Sequence, residues 1–284
     1  MMAREMAVRL GVFGAILAVM ALWEIVAPRR QPVIGRLSRW PRHFALIVLD
    51  TVIVRALFPL SAVGAAFWAE SHRFGLFGVW SAPGWLAFGA SFLLLDLTIY
   101  AQHVLFHLSP LLWRLHRVHH ADPDFDVTTG IRFHPGEMLL SLAIKCVAII
   151  ALGAPAGAVA AFEIVLNATS LFNHANARLP DPLDHLLRRI VVTPDMHRIH
   201  HSVIRRETDS NFGFNLPWWD WLFGTYRAAP ALGQEGMQIG LAEFSDPAEL
   251  ALWRILLQPL RRIPQNSPSG QSAVGKENAS FRSL

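Results

Sequence analysis

The stretch GWLAFGASFLLLDLTIYAQHVLFHLSPLLWRLHRVHH, Gly84 to His120, decides the fold. Gly84 to Leu108 is apolar and long enough to cross a bilayer as a helix, and it carries His103 and His107 near its end. After Ser109-Pro110 come His116, His119 and His120 in H-x-x-H-H spacing, and MHRIHHSVIR, Met196 to Arg205, repeats that spacing. On an α-helix, positions i, i+3 and i+4 fall within about 100° of arc, so each box projects its imidazoles from one face. Ser109-Pro110 and Thr193-Pro194 each supply a hydroxyl cap followed by proline at the first helical position, and Asp195 suits the first turn of the second helix.

With 13 histidines in 284 residues, chance gives on the order of 0.03 H-x-x-H-H matches, and two are far rarer. Protonated histidines at this spacing repel one another, whereas a divalent cation turns the spacing into attraction. His103, His107, His116, His119, His120, His197, His200 and His201 are too many for one four-coordinate zinc, so two metals are implied, with iron, copper, zinc and nickel all compatible with imidazole. Carboxylates are expected to hold the far nitrogens of these rings and offset the metal charge. Asp96, two helical turns before His103, is the leading candidate, followed by Asp195, Asp209 and Asp220. His134 and His174 stand singly beside apolar segments, while His43, His72 and His185 have no partner at ligand spacing.

Working outward, the chain is 53% hydrophobic and only 16% charged, with a net charge of +4, which points to a membrane protein. No nucleic-acid-reading module accompanies the basic charge. Cys146 is the only cysteine, which excludes an internal disulfide and any site built from several thiolates. Leu10 to Val26 reads as a retained first membrane helix, because no small-x-small cleavage site follows it. Arg29, Arg30, Arg36, Arg39 and Arg42 come next. Their charge suits anionic headgroups and, by the positive-inside rule, makes this loop cytoplasmic. A second helix is expected from about Phe44 to Trp68, and the Gly84–Leu108 helix then returns to the cytoplasmic side.

Met138 to Leu152 and Ala156 to Phe172 form two short apolar arms around Gly153-Ala154-Pro155, a tight or re-entrant hairpin. Lys145 and Glu163 each lie nine residues from Ala154 and are expected to pair across it. Trp218, Trp219 and Trp221 are expected in an interfacial belt, with a lipid entrance as the alternative. The expected architecture is all-α: a membrane bundle of about four helices, or two plus a hairpin, under a cytoplasmic histidine-rich cap. Its parts are N-terminal membrane helices (1–75), a histidine-box region with the third helix and hairpin (76–230), a peripheral segment (231–263) and a disordered tail (264–284).

The histidine series, with RFHPGE at 132–137, NHANARLP at 173–180, TPDMHRIHHS at 193–202, DSNFG at 209–213 and WDWLFGTY at 219–226, resembles the fatty acid hydroxylase and sterol desaturase superfamily over about Asp96 to Tyr226. The resemblance implies two iron ions held by the eight boxed histidines and His174, with O2 as co-substrate, acting on unactivated carbons of lipids. His134 matches the RxHP box of only some branches and is an additional candidate ligand. Hydroxylation and desaturation stay open, as do sterol, fatty acyl, ether lipid and carotenoid substrates. No G-x-G-x-x-G fingerprint follows a strand and no P-loop appears, so electrons are expected from a partner; the resemblance implies a cytochrome, ferredoxin or flavoprotein. A metal or proton transporter is the competing class, but its ligands belong near the bilayer midplane rather than at helix ends. A b-type cytochrome needs isolated axial histidines, which doubled boxes do not resemble.

Overall fold

A computed structural model describes residues 2–58 and 60–263; the tail 264–284, expected to be disordered, lies outside the described residues. Helices carry nearly all the regular structure, and the described residues include only two isolated β-bridges. Among the described residues, five stretches are long and apolar enough to cross a membrane: Ala7–Val26, Arg36–Trp80, Gly84–Leu108, Pro135–Leu152 and Ala156–Asn173. The first helix, α1, is Met2–Val26 and the second, α2, is Arg36–Leu57. The second expected helix is thus broken. Proline at 59 disfavours helical geometry at Phe58, whose φ is −131°, and α3 (Ala62–Ser71) starts afresh with Ser61 Oγ accepting from Gly64 N. A short α4, Leu76–Trp80, leads into α5, Gly84–Leu108, and the chain continues through α6, Pro110–His120.

The two apolar arms become α7 (Pro135–Leu152) and α8 (Ala156–Asn173). Gly153 ends α7 at φ +63°, and Gly75 packs so closely on the bend that a Cβ there would lie 2.2 Å from Gly153 N. Glu70 Oε1 accepts from Ala156 N at 3.0 Å, closing this far end of the bundle. Small residues of α3 (Ala62, Ala65, Ala66) meet Leu95 and Ile99 of α5, Ile149 of α7 and Phe162 of α8 in the main core. The helix α1 lies along α8, where Met20 packs with Leu171. Lys145 Nζ donates to Glu163 Oε1 at 2.5 Å, as the hairpin register predicts, and Arg9 of α1 joins the same carboxylate at 2.8 Å.

The cap follows α8 as short helices: α9 (Asp181–Leu187), α10 (Pro194–His200), α11 (Arg205–Thr208), α12 (Trp218–Leu222), α13 (Gly233–Gly236) and α14 (Leu252–Leu257). The arginine-rich loop between α1 and α2 is bound to this cap rather than left for lipid headgroups. Arg29 pairs with Asp195 and Glu235, and Arg30 donates to the carbonyls of Gln234 and Met237; Arg39, already on α2, is wholly buried. The planar fork of a guanidinium can meet several aligned acceptors at once, and these bonds hold the loop on the cap.

Candidate metal centre

Nine histidines converge where α5, α6, α8 and α10 meet, and they separate into two buried groups. His103, His107, His116, His120 and His200 form one group; His119, His174, His197 and His201 form the other, with ligand atoms inside each group within 4.8 Å of one another. Each H-x-x-H-H box is divided. His116 and His120, the i and i+4 positions on α6, serve the first group while His119 serves the second. In the α10 box the assignment is reversed: His197 and His201 serve the second group and His200 the first.

The ring orientations follow from what each far nitrogen meets. His103 Nδ1 donates to Phe212 O at 2.8 Å, His200 Nδ1 to Ser210 O at 2.8 Å and His174 Nδ1 to Ser170 O at 2.7 Å. A carbonyl only accepts, so the proton is fixed on Nδ1 and the Nε2 lone pair is free. His116 Nδ1 faces Glu137 Oε1 at 2.7 Å, and His107 Nδ1 faces Asp209 Oδ1 at 3.3 Å. Nε2 pairs then approach closely: His103 to His116 at 3.1 Å, His119 to His174 at 3.1 Å and His174 to His197 at 3.1 Å. Nitrogens sharing one metal at about 2.1 Å stand about 3.0 to 3.4 Å apart. Nε2 of His107, His200 and His201 is buried without a hydrogen-bond partner. Such lone pairs in an apolar wall are costly unless a cation accepts them, so the residues fit two metal ions.

Burial is the leading cause of neutral imidazoles in the cap. It pushes His116 and His174 down to about 3, and His119, His120, His197, His200 and His201 well below the usual histidine range, the last five with help from neighbouring rings. Neutral rings are the form a metal needs. Phe133 stacks on His119 with ring centroids 4.5 Å apart, Phe125 lies against His174 and His201, and Phe212 against His103, His107 and His200, so aromatic walls keep water from both groups.

Among the carboxylates expected to hold imidazoles, only Asp209 does so. Asp96 instead accepts from Trp219 Nε1 at 2.8 Å, because its side chain meets the segment after α11. Asp195 is taken by Arg29 and Arg198, and Asp220 accepts from Phe212 N and Gly213 N at 2.8 Å each, which fixes the carbonyl that holds His103. The additional candidate ligand His134 lies outside both groups. It caps α7, with Nδ1 accepting from Gly136 N and Nε2 donating to Leu256 O. Glu137 was missed: in RFHPGE, an acid two residues into a helix reads as a dipole partner, and nothing local shows that it meets His116. His43, given no role, is buried beside the site, with Nδ1 2.9 Å from Thr128 Oγ1 and Nε2 3.2 Å from Arg132 Nη1.

A buried ionic network fastens the segment after α6 to α2. Arg39 Nε donates to Asp122 Oδ1 at 2.7 Å and Nη1 to Asp126 Oδ2 at 2.5 Å, while Thr129 Oγ1 donates to Asp122 Oδ2 at 2.7 Å. Burial alone would raise both carboxyls, but Arg39 outweighs it and holds Asp122 and Asp126 below the usual carboxylate range.

Residues 88–225 match the fatty acid hydroxylase family. The chain is 30% identical over 200 residues to ornithine lipid hydroxylase OlsE of Rhizobium tropici, covering 65% of this chain and 57% of that protein. It is 28% identical over 167 residues to alkylglycerol monooxygenase of Homo sapiens, covering 57% of this chain and 34% of the relative. The chain thus spans a little over half of the first relative and about a third of the second. No solved structure matches it. Its nine converging histidines, its membrane-length helices and the match over 88–225 together make the chain similar to the fatty acid hydroxylase family over about half its length.

Proposed function

We propose that the chain is an O2-dependent lipid hydroxylase with two irons, one held by His103, His107, His116, His120 and His200 and the other by His119, His174, His197 and His201. The observation that carries this reading is the division of nine buried imidazoles into two adjacent groups. Similarity to a lipid hydroxylase and an alkylglycerol monooxygenase favours hydroxylation over desaturation and a membrane lipid as substrate. When bound, the metal pair supplies dioxygen reduction and the oxidising power to break an unactivated C–H bond. Glu137 and Asp209 hold the Nδ1 protons of His116 and His107 and offset part of the metal charge. Phe125, Phe133 and Phe212 exclude water from the groups.

One oxygen atom enters the lipid and the other leaves as water, at the expense of two electrons and two protons. We assign the electrons to a separate cytochrome, ferredoxin or flavoprotein, and the histidine end of the bundle to the cytoplasmic face. The test is metal analysis of the purified protein together with total lipids from the native host carrying wild type or His119→Ala. Two irons per chain and a wild-type-only lipid heavier by one oxygen, labelled from 18O2, are expected. A product lighter by two hydrogens would make the enzyme a desaturase. Identical lipids, with metal-dependent ion flux in liposomes, would replace the enzyme reading by transport.

A further inference from the structure

We propose that residues 211–225 form a hairpin-like loop whose tip inserts into the histidine-side leaflet, with lipid acyl chains as its partner. The descent can be followed by hydrogen bonds. At the top, Phe212 O accepts from His103, and Asn173 Nδ2 donates to Phe214 O at 2.9 Å. Lower down, Thr169 Oγ1 donates to Asn215, and Trp219 Nε1 reaches Asp96 Oδ2 at 2.8 Å. The loop then climbs back, with Thr225 Oγ1 2.9 Å from Tyr100 OH and Asn211 N donating to Thr225 O at 2.9 Å, which joins the two limbs.

Asp96 is seven residues before His103 on α5, so Trp219 sits about 10 Å from the His103 level toward the interior of the span. Trp219 therefore lies deeper than the interfacial belt expected for these tryptophans, while Phe223 stacks on Tyr100, one turn below His103, with ring centroids 5.5 Å apart. The tip's outer surface agrees. Leu222 is 68% and Phe223 55% exposed, with Trp218 and Trp221 also uncovered beside them. Several of the loop's polar atoms are bonded within the protein: Asp220 accepts from Phe212 N, Gly213 N and Thr225 Oγ1, and Trp218 Nε1 donates to Arg189 O. Exposed Arg189, beside exposed Leu186 and Ile190, places positive charge where anionic headgroups would meet the loop. Irregular backbone enters a bilayer only when its polar groups are largely satisfied, and Asp220, Asn211 and the contact from Asn173 to Phe214 O satisfy several of those in this loop.

The inference is independent of the proposed activity, and its test needs none. Full-length protein with Cys146→Ala and Leu222→Cys is nitroxide-labelled, reconstituted in phosphatidylcholine/phosphatidylglycerol vesicles, and probed for collisions with O2, which concentrates in lipid, and with a water-soluble nickel chelate. Leu93→Cys on α5 serves as the lipid reference and Ser245→Cys on the cap as the aqueous one. The expected O2-to-nickel ratio at 222 is severalfold above that at 245 and close to that at 93. A ratio like that at 245 overturns the proposal, as does shielding from both probes, which would assign the tip to a second protein surface. Where Leu222→Cys lowers bound metal, Phe223→Cys carries the same label and the same two outcomes.

Discussion

Glu137 fixes the orientation of one imidazole of the first histidine group, that of His116. Its Oε1 accepts from His116 Nδ1 while the helix start around it is buried. Glu137→Ala is expected to weaken metal retention on the order of 10- to 100-fold, measured by chelator competition on purified protein. Glu137→Gln keeps an acceptor oxygen, so it should fall between alanine and wild type; three equal curves would remove the role. Arg39 acts on stability instead. Arg39→Met leaves Asp122 and Asp126 buried without their cation, which is expected to cost about 3–5 kcal/mol, read as a lowered unfolding midpoint in detergent. Arg39→Lys should rescue little, because an ammonium cannot reproduce the fork that spans both carboxylates. The histidines were legible in sequence because a metal demands one residue type at helical spacing. Glu137 and the carbonyls of Ser170, Ser210 and Phe212 were not, because any acid or backbone group could hold a ring and only the fold decides which one arrives.

At the scale of elements, the period of the helix gives a box one face but does not say how many metals that face serves. The i and i+4 rings of α6 enter the first group and the i+3 ring enters the second, and α10 reverses the assignment, so the two helices clasp both groups between them. His120→Ala and His119→Ala are therefore expected to deplete different groups: each should bind about one metal fewer per chain, and the double variant about two fewer, by elemental analysis. Loss of both metals from either single variant would show that the groups fill only together. The hairpin register was also legible, since equal distances from the bend bring Lys145 to Glu163. Arg9 was not, because only packing sets α1 against α8. Its presence orders the outcomes: Lys145→Met leaves the Arg9–Glu163 pair, whereas Glu163→Gln leaves two cations facing each other without a carboxylate. Glu163→Gln should thus lower the unfolding midpoint more than Lys145→Met. The reverse order would mean that Arg9 turns to water.

Across the whole molecule, the ends of α1, α5 and α8 and the starts of α2 and α7 meet at the histidine end, so the membrane bundle forms one side of the metal pocket and the cap the other. The apolar spans were readable from hydropathy. A histidine-rich helical cap was readable from the boxes, but its internal arrangement was not, because its helices are short and its loops are held one by one by residues such as Asn211 and Asp220 rather than by a repeating pattern. This construction ties stability to pH. In the unfolded chain the cap histidines titrate near their ordinary 6.5, whereas in the metal-free fold His116 and His174 sit at about 3 and the other five well below the ordinary value. As pH falls below about 6.5, the unfolded chain binds protons that the fold refuses, so each such group lowers stability by about 1.4 kcal/mol per pH unit until its folded pKa is reached. Asp122 and Asp126, held below the ordinary 3.8, add a second loss in the same direction once pH drops below that value. The metal-free protein is therefore expected to lose its unfolding midpoint steeply as pH falls below about 6.5, measured by thermal unfolding in detergent. Metal restored at neutral pH should raise the midpoint, since only the fold binds it at nine aligned nitrogens. A midpoint that stays flat down to pH 5 would mean that the histidine pocket opens to water when the metal is removed.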